Sequence, residues 1–238
     1  VGVLPDGAPD IDWCEIPGGK VELEDGHGKF KVERFHIARY PLTWWQYRAF
    51  VADPQGYADR KRWWQGLQRQ NSPGEQFRPI GNCPAENVSW YDAVAYCRWA
   101  SARLGFEVRL PSEAEWQQAA TGGQRGNTHP WGADWRESCA NTWDGRVGRT
   151  TAVGLYPAGA SGQGVLDLAG NVWEWCRNVY DDPHRTQVGT DARRVVRGGS
   201  WVNDRDGARC AFRDGAGPGD RDDDLGLRLV CVSPILKR

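Results

Sequence analysis

Seven cysteines, four histidines and several runs of aspartate are the side chains in this 238-residue chain that could do chemistry. The cysteines stand at 14, 83, 97, 139, 176, 210 and 231. No two are spaced as Cys-x-x-Cys, so the usual structural zinc site is not encoded. Their odd number and wide spacing define no disulfide framework, and buried free thiols in a reducing compartment are the expected state. His27, His36, His129 and His184 form neither a His-x-x-x-His nor a His-Glu-x-x-His metal pair. There is no glycine-rich phosphate loop ending in Lys-Ser/Thr and no Gly-x-Ser-x-Gly nucleophile elbow. Carboxylates pair at Asp181-Asp182 and run from Asp222 to Asp224, where solvated loop charge is the ordinary reading. These residues point to binding rather than catalysis, with the most Gly- and Asp-rich text between Gly198 and Val230.

The bulk composition narrows the partners. Net charge is −1, from 30 basic and 31 acidic residues, which leaves no electrostatic footprint for nucleic acid or an anionic membrane. No apolar run is long enough to span a bilayer, and no charged-then-apolar leader opens the chain. A cytoplasmic location is the expectation. Because the sequence opens at Val1 and contains no methionine, an exported form with a further N-terminal segment stays open. Fourteen tryptophans beside 30 glycines and 14 prolines describe many loops pinned by large rings.

The elements that must position this text can be read locally. Residues 13–40 alternate apolar and polar between turn signals and predict short strands, the last running from Phe30 to Ile37. Thr43 is placed to cap a helix carrying Trp44, Tyr47, Phe50 and Val51. Residues 53–83 read as loop. Ser89 caps a helix from Trp90 to Leu104, and Gly105 stops it. Val108 to Leu110 reads as a strand leading into a second helix opened by the Ser112-to-Glu115 capping box. Residues 121–165 are loop, and two short strands are expected at 194–202 and 225–232. Helices early and strands late make an α+β pattern, read as one domain over 1–238.

Six words come in order: Val88-Ser89-Trp90-Tyr91-Asp92-Ala93, Arg109 through Trp116, Pro130-Trp131-Gly132, Gly170-Asn171-Val172-Trp173-Glu174-Trp175, Arg197-Gly198-Gly199-Ser200-Trp201 and Gly226-Leu227-Arg228-Leu229. Together they resemble the formylglycine-generating-enzyme (sulfatase-modifying-factor) superfamily, from about Trp13 to Val230. The resemblance implies a C-type-lectin-like fold with two helices, short twisted antiparallel sheets and long loops. It implies three functional kinds: copper-dependent oxidases, iron-dependent sulfoxide synthases, and non-catalytic binders that include the variable proteins of diversity-generating retroelements.

Set against that family, the oxidase needs two cysteine thiolates for Cu(I), two residues past the aromatic of the Gly-Gly-Ser word and a few residues beyond. Asn203 and Ala208 stand at those places, and Cys210 nearby matches a structural position. The synthase needs a three-histidine iron cluster that this sequence lacks. A metal-dependent oxidoreductase domain, or a regulatory lectin-like domain of a larger signalling protein, remains the alternative. The resemblance also implies a structural Ca²⁺ held at Asp167, Gly170, Val172 and Glu174, where the family's helix start supplies side-chain and main-chain oxygens. No other cofactor is implied.

The binding reading has a coding signature. Retroelement mutagenesis replaces adenines in AAC or AAT codons, which reaches Asn, Asp, Gly, Ala, Val, Arg, Phe, Tyr and Ser but never Lys, Glu, Gln, Met or Trp. None of those five occurs from Val202 to Asp224. The expected display positions are Val202, Asn203, Asp204, Arg205, Asp206, Gly207, Asp214, Gly215, Ala216, Gly217, Gly219, Asp220, Asp222, Asp223 and Asp224, with Trp201, Phe212, Arg213 and Leu227 packed into the scaffold. Ordinary turn chemistry would also favour such text. Seven aspartates between 204 and 224 make this surface acidic, so the partner expected is a protein or other macromolecule with a basic or polar face. Few aromatic anchors are expected on it, and its loss of charge would be tested at Asp222, Asp223 and Asp224 together.

Overall fold

The computed structural model describes residues 1–68 and 70–234. Eleven short strands and four helices are found among them, joined by long loops. A two-stranded antiparallel ribbon, β1 (Gly2–Val3) with β2 (Pro9–Asp10), precedes β3 (Trp13–Ile16). The hairpin β4 (Gly19–Glu22) to β5 (Lys29–Val32) follows, and β6 (Phe35–Ala38) returns antiparallel to β3. The run expected as one strand from Phe30 to Ile37 is therefore two, divided at the exposed pair Glu33-Arg34, where the chain leaves one sheet for the other.

The helices are capped as their sequences require. Thr43 accepts from Gln46 N and receives Gln46 back on its own backbone, opening α1 (Trp44–Ala52). Asp59 caps a one-turn helix, α2 (Arg60–Trp63), inside the stretch read as loop. Ser89 and Asp92 form a reciprocal box at the start of α3 (Trp90–Leu104), and Gly105 ends it at φ +81, a conformation glycine adopts without strain. Ser112 and Glu115 do the same for α4 (Glu113–Thr121). Against the two helices that the resemblance implied and the three read from local sequence, four α-helices are present among the described residues. Val108 to Leu110 forms no strand, only one backbone pair between Arg109 and Val230 before Pro111 turns the chain into α4.

The C-terminal half builds the central sheet, ordered β10-β7-β8-β9. Its strands are β7 (Trp173–Val179), β8 (Arg194–Arg197), β9 (Arg213–Ala216) and β10 (Leu225–Gly226). The β7–β8 and β8–β9 pairs are antiparallel, whereas β10 lies parallel to β7, against the all-antiparallel expectation. A third sheet joins β11 (Val230–Cys231) to β6 and β3. The word Gly170 to Trp175, expected at a helix start, instead enters β7. Asp167 and Asn171 sit at φ +56 and +71, which breaks any helix there, and the strand beyond is buried on both faces.

The tryptophans hold the loops as their abundance suggested. Trp90, Trp99, Trp116 and Trp175 are fully buried, and each indole N–H is used: on Cys176 O (2.9 Å), Asp53 Oδ2 (2.8 Å), Glu174 Oε2 (2.7 Å) and Val88 O (2.7 Å) respectively. A large ring thus fills the core while its one polar atom ties down a distant backbone or carboxylate. All seven cysteines are buried and free.

Candidate functional site

The segment after β8 is built on buried charge. Glu113, at the first turn of α4, is fully enclosed and accepts from Arg197 Nη1 (2.6 Å), Arg213 Nε (2.7 Å) and Arg213 Nη2 (3.0 Å). Burial alone would raise the Glu113 carboxyl, but the bonds and charges of Arg213 and Arg197 outweigh it and hold the acid ionised below its ordinary value. Arg197 also lies over Trp116 at 5.1 Å. Arg228 forms the second centre. It donates to both Glu174 oxygens at 2.7–3.0 Å and to the carbonyls of Ala38, Arg39, Leu166 and Asp167. Three arginines, one before, one within and one after the segment, thus clamp it to the scaffold.

The turn beyond β8 needs its glycines. A Cβ at Gly198 would lie 3.1 Å from Trp116 and 3.2 Å from Leu168 O; one at Gly199 would lie 2.8 Å from Gly207 O. Ser200, buried, then joins the two halves of the segment. Its hydroxyl is 2.7 Å from Asn203 Oδ1 and 2.6 Å from Asp224 Oδ2, and its N–H donates to Asn203 Oδ1 at 3.0 Å. Asp204 Oδ1 accepts the N–H groups of Asp206 and Gly207, Asp220 Oδ2 that of Gly217, and Asp222 Oδ1 that of Asp223. Several of these aspartates are therefore turn-formers as well as charges.

The expected display positions separate by burial. Val202, Asp204, Arg205, Asp206, Asp214, Asp220 and Asp222 are exposed. Asn203, Gly215, Ala216, Gly217, Gly219 and Asp223 are half-buried. Gly207 and Asp224 are buried, and so do not present a side chain to a partner. Burial pushes the Asp224 carboxyl up, the Ser200 bond opposes this, and the charges of Asp222 and Asp223 reinforce it. The carboxylates of Asp222, Asp223 and Asp224 gather within 4.8 Å of one another. Replacing all three together would mix a surface change with the loss of an internal bond.

Of the residues expected in the scaffold, Arg213 and Leu227 are buried, whereas Trp201 and Phe212 are half-buried. Two contributors escaped the sequence reading. Arg221, within the Asp-rich run, turns inward and grips Asp92 through Nε (2.8 Å) and Nη2 (2.9 Å). Trp143 donates its backbone N–H to Asn203 O at 2.8 Å while its side chain is 64% exposed. It stands sixty residues away in sequence, and adds an exposed aromatic next to a segment whose own Phe212 is half-buried.

The positions where the family's oxidases carry thiolates hold Asn203, committed to Ser200, and Ala208, fully buried. Burial pushes the Cys210 thiol up to about 12, so it stays protonated and weakly nucleophilic at neutral pH. Three of the four residues expected to hold calcium have oxygens engaged within the protein. Glu174 is taken by Arg228 and the Trp116 indole. Gly170 O accepts Val172 N at 3.0 Å. Asp167, buried and pushed up to about 6 by desolvation, accepts Gly154 N at 2.6 Å. A guanidinium in place of shared oxygens does not suit a cation that takes six to eight oxygen ligands.

The fold and these words place the chain in a known class. Residues 9–232 match the profile described as the sulfatase-modifying factor enzyme 1-like domain, and the chain belongs to that family. It is 30% identical to the inactive Cα-formylglycine-generating enzyme 2 of Bos taurus, over 92% of this chain and 88% of that one. It is 33% identical to the hercynine oxygenase of Mycobacterium tuberculosis, over 84% of this chain and 53% of that one. Among solved structures it is similar to Treponema denticola variable protein 1, with a TM-score of 0.76 and 23% identity, covering 97% of this chain and 98% of that one. The architecture is the C-type-lectin-like α+β fold expected from the sequence. The relatives thus include a protein named inactive and a protein named as an oxygenase. No helix among the described residues is long and apolar enough to cross a membrane.

Proposed function

We propose that this chain is a non-catalytic binding protein whose 202–224 segment, diversified by a retroelement, displays variable side chains on a fixed scaffold to a protein or other macromolecular partner. The observation that carries the reading is the fate of one place in the fold. Where an oxidase would hold two thiolates, Asn203 and Ala208 serve the backbone and the core, while Val202, Asp204, Arg205, Asp206, Asp214, Asp220 and Asp222 around them face solvent. Side chains that carry no packing load can change without changing the fold. Trp143 gives this surface an aromatic of the kind that dominates binding energy, and the aspartates give it a preference for basic partners. The role requires no metal.

The test uses the whole chain against an immobilised panel of basic, neutral and acidic peptides. Asp→Asn changes at 204, 206, 214, 220 and 222 keep one side-chain oxygen at each position and remove the charge. Capture by basic peptides that falls at least about tenfold in this variant supports the reading; about 1.4 kcal/mol is then lost. Copper or iron in the purified protein, with oxygen consumption, refutes it in favour of a redox enzyme. A reverse-transcriptase gene beside a near-copy of the 197–230 coding segment that differs only at adenines would establish the origin of the variation.

A further inference from the structure

A cavity of about 460 Å³ opens beside α3 and β7, and none of the 202–224 segment lines it. Its lining includes the apolar side chains of Val94, Val108, Leu110 and Val188 together with the buried Trp90. The same lining carries three guanidinium groups, Arg98, Arg109 and Arg177, and the single carboxylate of Glu107.

The three arginines are in different states. Arg109 is neutralised, with Nη1 and Nη2 donating to Glu115 Oε2 and Oε1 at 2.8 and 2.7 Å. Arg98 spends Nη1 on the carbonyls of Trp63 and Gln65 at 2.7 and 2.8 Å, which are dipoles rather than a counter-charge. Arg177 has no side-chain hydrogen bond or ion pair among the described residues. Burial lowers the pKa of both Arg98 and Arg177; at Arg177 the like charge of Arg109 adds to the effect, and the carboxylates of Glu115 and Glu107 oppose it. The guanidinium of Arg177 is half-buried with no acceptor among the described residues, so its donors are open to a ligand, and its planar fork matches a carboxylate.

We propose that this cavity binds a small amphipathic carboxylate, with an aromatic or branched apolar body against Val94, Val108, Leu110 and Val188 and its carboxylate in the fork of Arg177, beside Arg98. The volume falls within the range of small-ligand sites, about 300–1,000 Å³.

Indole-3-acetate is a suitable probe, with indole-3-acetamide and tryptamine as its neutral and cationic counterparts, titrated into the full chain and followed by ligand-observed NMR and calorimetry. The acid is expected to bind at or below about 1 mM, the amide at least about tenfold more weakly, and the amine not measurably. Arg177→Gln should bring the acid down to the level of the amide. Thr186→Glu, which sets a competing carboxylate at the rim, should do the same with the thermal midpoint unchanged to about 2 °C. The proposal is overturned by equal binding of acid and amide, by undiminished acid binding in Arg177→Gln, or by no binding of the acid at about 5 mM.

Discussion

Replacing Glu113 by Gln exchanges one oxygen for an NH₂ at the centre of the buried cluster that holds both ends of the 197–213 stretch. In the native protein its two oxygens take three charge-assisted bonds of 2.6–3.0 Å, and neither Arg197 nor Arg213 has solvent to fall back on. Gln offers one acceptor where two are used, turns a donor toward a guanidinium, and leaves two enclosed positive charges without a counter-ion. Breaking a buried pair in this way costs about 3–5 kcal/mol, and full burial means that solvent screening does not discount it. For a chain of this size about 2–4 °C of midpoint accompanies each kcal/mol, so a fall of roughly 6–20 °C is expected in calorimetry, with a matching shift in urea midpoint at constant slope. The carboxyl is depressed in the folded state, so its contribution is complete above the unfolded value and is lost as pH falls through the lower folded one. The gap between native and variant should therefore hold from neutral pH down to about 4.5 and narrow only below it. A loss under about 1 kcal/mol at pH 7 would refute the assignment of these arginines as clamps of the 202–224 segment.

Three further outcomes follow from single sites. The Asp167 carboxyl is raised to about 6 from 3.8, so the native state holds its proton more tightly than the unfolded chain, and stability should fall as pH rises between those values by up to about 3 kcal/mol; Asp167→Asn should flatten that part of the pH–stability curve in urea titrations, and an unaltered slope would contradict the desolvated setting of this carboxyl. Gly199→Ala places a Cβ 2.8 Å from Gly207 O at φ +68 and should cost about 2–4 kcal/mol in denaturant unfolding. Cys210, its thiol raised to about 12, should resist iodoacetamide in the native protein at pH 8 and react only on unfolding, as peptide mapping would read directly.

Helix starts were legible because their chemistry is local: Thr43, Ser89 and Ser112 each find their partner three residues on, and Gly105 needs only its own positive φ. Strand boundaries were not. Nothing near Arg213-Asp214-Gly215-Ala216 favours a strand, and β9 exists because β8 offers it an edge. The parallel seat of β10 on β7 likewise depends on residues fifty apart. At the site, the absence of the thiolate pair was readable from Asn203 and Ala208 alone. Local sequence could not distinguish an aspartate that faces solvent, such as Asp222, from its neighbour-but-one Asp224, whose partner Ser200 is brought in by the fold. The same holds for Glu174. Its place in the motif suggested a calcium ligand, but the side chain that meets it is Arg228, fifty-four residues downstream.

That distinction bears on the proposed diversification, because adenine-directed mutagenesis acts on codons and is blind to burial. Every position from 202 to 224 with a suitable codon would be struck alike, and folding would remove the harmful outcomes afterwards. Asp224 accepts from Ser200 at 2.6 Å in an enclosed site, and losing it would leave a buried hydroxyl to find another acceptor, at about 1–3 kcal/mol. Gly207 lies against Gly199 with its own Cβ position 3.0 Å from Asn203, so any side chain there displaces the turn. By contrast Val202, Asp206 and Asp222 are exposed, where substitutions stay within about 0.5 kcal/mol. Deep sequencing of sibling alleles, paired with a display selection for folded protein alone, should therefore show residues 202, 204, 205, 206, 214, 220 and 222 varied in the selected pool. Residues 207 and 224 should be varied before selection and fixed after it. Equal variation at 207, 222 and 224 among folded members would mean that the Ser200 junction bears no load, and a pool already fixed at 207 and 224 before selection would mean that those codons are not templates for mutagenesis.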